Sequence, residues 1–120
     1  MAQKDSIPAE RRRQFELIEV ATVATLRSAS SMGKPLEAMH PVVPFVETNF
    51  RLDMELFFKT EADRRAFEAD GSSEALAKEF CRELAKAGYP PDWLKLVICR
   101  FSSYEVVDRD FEGSYFYFLR

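Results

Sequence analysis

Histidine occurs once in these 120 residues, cysteine twice and glycine four times, and no uninterrupted apolar run exceeds the five residues Tyr115 to Leu119. Each scarcity removes a class of function. No run approaches the length of a membrane span, and the opening segment Met1 to Arg13 lacks the apolar stretch of a secretion signal. Two cysteines are too few for a disulfide-stapled scaffold, and a chain of this length can bury a core without one, so a reducing cytoplasm is the expected setting. Cys81 and Cys99 form no Cys-x-x-Cys pair, and with His40 alone beside them a four-ligand zinc site is not expected. Met32-Gly-Lys-Pro-Leu36 lacks the upstream glycine and the following hydroxyl of a phosphate-binding loop, so no nucleotide cofactor is expected, nor any other cofactor or metal. A net charge of -3 argues against nucleic acid as the main ligand. The one basic cluster, Arg11 to Arg13, points three ways on a helix and reads as a solvated helix start.

What is abundant is hydrophobic surface, at 47% of the residues, and aromatic rings. Of the 16 rings, nine fall between Tyr89 and Phe118. The balance of apolar and charged residues describes one folded domain over residues 1–120, with 1–7 as a flexible N-terminus. Residues Pro8 to Met32 read as a long helix, with the proline in its first turn and Gly33 then Pro35 as the stop. Between Phe15 and Leu26 polar groups stand only at Glu16, Glu19, Thr22 and Thr25. The apolar surface is therefore wider than one stripe, which calls for cover on more than one side, from the domain itself or another chain. The β-branched content of Val20 to Leu26 leaves a strand as the lesser reading.

From His40 the period becomes two. Phe50, Leu52, Met54, Leu56 and Phe58 alternate with Arg51, Asp53, Glu55, Phe57 and Lys59, the pattern of a strand with one buried face. A hairpin with Val42 to Glu47, turning at Thr48-Asn49, would set Glu47 against Phe50, Phe45 against Leu52 and Val43 against Met54, with Pro41 and Pro44 confining the first strand to an edge. Thr60 to Asp63 has capping-box spacing and opens a short helix to about Ala69. Ser72 or Ser73 caps another, in which Leu76, Phe80 and Leu84 form the buried row and Gly88 the stop. Leu94 to Phe101 reads as a central strand covered on both faces. Ser102 to Glu105 again has capping-box spacing, favouring a short helix closed near Gly113 over a hairpin turning there, and Ser114 to Leu119 reads as a final strand with rings on both faces. The expected fold is α+β, a small, mainly antiparallel four-stranded sheet with a long N-terminal helix and further helices packed on it.

Candidate sites follow from the rings and the charges. Phe57 shares a strand face with charged residues, as a ring tucked under a loop or a point of contact. Asp53 and Glu55 share that face and could serve as an acid and base, although Arg51 and Lys59 beside them favour a solvated charge ladder. The segment Tyr104 to Glu112 concentrates carboxylates at Glu105, Asp108, Asp110 and Glu112, with Glu105 and Arg109 spaced to pair. Ser102 and Ser103 lack the setting of a nucleophile. The chain reads as a non-enzymatic cytosolic protein-binding domain, self-associating or partnered, with Phe57, Tyr104, Glu105, Asp108, Asp110, Glu112, Tyr115 and Tyr117 at its contact surface. Such an acidic, ring-rich profile suits a small inhibitor or toxin-neutralising protein. The alternative is a small-molecule-binding domain or small enzyme, with a pocket between sheet and helices bounded by His40, Arg100 and Tyr104.

Overall fold

The computed structural model describes residues 2–44 and 49–120, with side chains from residue 9 onward. Helix α1 spans Ala2–Ser31, beginning ahead of Pro8 and ending where expected. Gly33 adopts φ +73°, which lets the Lys34 N–H reach back to the Ala29 carbonyl at 2.9 Å and terminate the helix. Gln14, Ile18, Ala21, Thr25 and Ala29 recur at three- and four-residue spacing and are buried, giving α1 one continuous inner stripe.

Three strands follow: β1 (Ala38–Val42), β2 (Leu52–Phe58) and β3 (Val97–Ser103). β2 is central, antiparallel to β1 and parallel to β3. The expected four-stranded, mainly antiparallel sheet is thus corrected to a three-stranded mixed one among the described residues. The parallel step arises because α2 (Glu61–Ala69), α3 (Ser72–Ala87) and the single turn α4 (Pro91–Leu94) lie between β2 and β3, and a crossover through helices returns the chain parallel. β3 therefore takes the free edge rather than the centre, and Ile98 on its outer side remains exposed.

The β1–β2 pairing also departs from the expected hairpin. Pro41, not Val43, lies opposite Met54, a displacement of two residues. A period of two leaves the buried face unchanged under such a shift, so hydrophobic alternation cannot distinguish the two registers. The expected partners Phe45 and Glu47, and Thr48 of the expected turn, lie outside the described residues. Pro41 does lie on an edge strand, where its missing N–H is tolerated.

Local signals hold in α2 and, except at its start, in α3. The Thr60 side chain accepts from the Asp63 N–H at 3.1 Å and starts α2. Gly71, φ +84°, stands at the N-cap of α3 in place of the expected serines. Leu76, Phe80 and Leu84 are fully buried along α3, and Gly88, φ +101°, ends it. With α1 they cover one face of the sheet, meeting Leu52, Met54, Leu56 and Phe58. Complete burial of each such side chain contributes about 1.5–3 kcal/mol.

The last segment is the largest correction to the expected elements. After α5 (Tyr104–Asp110), the run Tyr115–Phe118 is a single helical turn, α6, not a strand. Glu112 and Gly113, with φ of +54° and +74°, reverse the chain, and the Ser114 hydroxyl accepts from the Tyr117 N–H at 3.2 Å. The cap and the turn together override the β-propensity of the rings, because helical spacing brings Tyr115 and Phe118 to one side.

Candidate functional site

In-register rows across the sheet place the chemistry on the face turned away from the large helices. His40, Glu55 and Arg100 form one row, and Ala38, Phe57 and Ser102 the next. Tyr115 and Phe118 descend on the second row from α6. The Phe57 ring meets Tyr115 edge-on at 4.8 Å and Phe118 at 5.2 Å, and it is fully buried. Phe57 is thus tucked beneath the C-terminal segment instead of forming a point of contact. His40 lies 4.4 Å from Tyr115 and 5.8 Å from Phe57, ring to ring. Burial lowers its pKa, and among the described residues its Nε2 has no hydrogen-bond partner.

Beyond this lid the row continues into charge. Glu55 lies 3.8 Å from Arg100, in an open cleft of about 300 Å³ bounded also by Val42, Asp53, Phe118 and Leu119. Burial raises the Glu55 carboxyl, with Arg100 opposing and Asp53 reinforcing the shift. Asp53 is itself paired with Arg51 at 3.4 Å. Both carboxylates therefore belong to ion pairs on this same face, as in a charge ladder.

The expected pocket residues do not converge between sheet and helices. His40 lies on the opposite face, where Tyr104 joins it only through the Tyr115 ring, 5.7 Å from Tyr104. The space between the layers is filled by Leu52, Met54, Leu56, Phe80 and Leu84.

The acidic segment divides between structural and open positions. The Glu105 carboxylate accepts from the Glu61 N–H at 2.8 Å at the start of α2, while the Glu105 N–H donates to the Lys59 carbonyl. Arg109 pairs with Asp110 at 2.9 Å instead of with Glu105. Asp108 and Glu112 remain exposed. Ser103 is buried, its hydroxyl donating to Glu61 at 2.7 Å and accepting from the Val106 N–H, so it is the helix cap that sequence spacing placed one residue earlier. Tyr104 is half-buried, and a side chain at Gly113 would approach its hydroxyl to 3.1 Å. Of the expected contact rings, Tyr115 faces inward with Phe57, whereas Tyr117 is 46% exposed, beside Phe116 at 70%.

Two further features escaped the sequence reading. Arg11 is buried, donating to Gln14 and to the Asn49 carbonyl over the face of Phe50, so it is not part of a solvated helix start. Gln14 in turn donates to Tyr89 and to the Phe50 carbonyl. Only the buried spacing of Arg11, Gln14 and Ile18 on one helical face carried a signal for this network. Second, Cys81 on α3 and Cys99 on β3 border one open cleft. The proximity of the two thiols brings that of Cys81 down to about 7 and pushes that of Cys99 up, with burial adding to the rise at Cys99.

Among the described residues no group of three or more His, Cys, Asp or Glu side chains could hold a metal ion, and no helix is long and apolar enough to cross a membrane. No family model, curated protein or solved structure matches the chain.

Proposed function

We propose that the chain is a non-enzymatic protein-binding domain whose contact surface is the outer side of α6 and the acidic segment before it. The observation that carries this reading is the division of the α6 rings. Tyr115 and Phe118 turn inward, while Phe116 and Tyr117 are held outward on a capped turn. An exposed phenylalanine on an ordered turn costs hydration that a partner's apolar pocket would relieve. Asp108, Asp110 and Glu112 lie in the segment just before it, so the fitting partner is a protein with a basic rim around that pocket. Binding would act by occlusion, the mode of a small inhibitor.

The test uses the immobilised full chain and its Phe116→Ala/Tyr117→Ala variant against native cell extract, each at low and high salt. Partners retained by the wild type, lost by the variant and released by salt support the reading. Identical retention by both chains, or binding indifferent to salt, overturns it.

A further inference from the structure

Helix α1 carries a second stripe opposite its buried one. Each of Glu16, Val20, Val23 and Arg27 follows a member of the inner stripe (Gln14, Ile18, Ala21, Thr25) by two residues. At about 100° per residue this places them on the far side of the helix. Val20 and Val23 are 58% and 50% exposed there. A shallow open groove runs along it, bordered by Glu16, Glu19, Val20, Val23, Ala24 and Arg27. Those residues make two successive four-residue holes, 16-19-20-23 and 20-23-24-27, the spacing that receives a side chain from a facing helix.

The flanking charges say which helix fits. Glu16 lies four residues before Val20, and Arg27 four after Val23. One antiparallel register that sets Val20 against a second copy's Val23 also sets Glu16 against that copy's Arg27, and two-fold symmetry repeats both pairs. A parallel pairing would oppose Glu16 to Glu16 and Arg27 to Arg27. On α2 and α3, by contrast, Arg64, Lys78, Arg82 and Lys86 each pair with a carboxylate three or four residues away. Among the described residues Glu16, Glu19 and Arg27 make no ion pair within the chain. We infer that the outer stripe of α1 binds a second copy of this chain, antiparallel and centred between Val20 and Val23. The seam lies on the helix side of the sheet and α6 on the other, so a dimer of this kind keeps both α6 surfaces free.

The seam is short, so association is measured by sedimentation equilibrium from ~10 µM to ~1 mM. The wild type is expected to dimerise, and Val23→Asp to weaken dimerisation by about 100-fold or more, since it places two carboxylates at the seam. Glu16→Arg or Arg27→Glu alone is expected to weaken it about tenfold, and the two together to restore it. All these positions are exposed, so the thermal midpoint measured on dilute protein should not move. A wild type that stays monomeric throughout, a dimer indifferent to Val23→Asp, or a double reversal no better than either single one overturns the inference.

Discussion

The two faces of β2 are equally regular in sequence and differently completed in space. On one, Leu52, Met54, Leu56 and Phe58 are all buried beneath α1 and α3. On the other, Asp53 and Glu55 stay half-exposed in ion pairs, and only Phe57 is fully covered, by two rings from the far end of the chain. The first face is closed by whole helices, each with its own apolar stripe. The second is closed at one end by a single turn whose position depends on the reversal at Glu112 and Gly113. A strand's alternation identifies which side is apolar, but what lies above each residue is decided by distant segments.

The contrast can be broken most strongly at neighbouring positions. Leu52→Asp buries an unpaired charge under the helices and should unfold the domain, whereas Asp53→Leu should shift stability by no more than about 1 kcal/mol. Circular-dichroism melts of the two variants decide this, and equal melts would contradict the assigned faces. Next in size, Phe57→Ala should cost about 3 kcal/mol in urea denaturation, as much as a residue of the helix-covered core, because it empties the centre of the Tyr115–Phe118 lid. A cost below about 1 kcal/mol would show that the lid does not hold Phe57 in solution. The smallest effect belongs to Glu55. Its folded-state pKa is raised, so its protonated form favours folding, and that contribution is present below the ordinary carboxyl range and lost as pH rises through the raised value. Glu55→Gln should therefore gain stability relative to wild type near pH 7, with the gain shrinking as pH falls through the raised value and vanishing below the ordinary carboxyl range. A gain that grows towards acid would reverse the assignment.

Several elements were readable because one short stretch contains their whole cause. Thr60 and Asp63 make their cap within one turn, Leu76, Phe80 and Leu84 mark one helical face, and Gly88 supplies the left-handed stop. The alternation along β2 identified the inward row before any partner was known. The candidate site was less legible. Tyr115 and Tyr117 belong to one side if the run is extended and to different sides if it is helical, and the choice rests on Ser114, Gly113 and the apolar surface of Phe57. Glu105 looked like an open carboxylate until α2 presented its first N–H groups beside it. Arg11 looked solvated for the same reason, since its acceptors come from Gln14 and a carbonyl at Asn49.

The sequence by itself determined the long first helix, the cap of α2, the buried row and stop of α3 and the inward face of the central strand, because these follow from spacing and from hydrogen bonds a few residues apart. Only the tertiary structure decided that among the described residues the sheet has three strands with β3 at an edge, that the β1–β2 register is displaced by two, and that the final aromatic run is a turn with two rings in and two out. Those outcomes depend on which distant surfaces meet, and side-chain periodicity repeats identically whether or not they do.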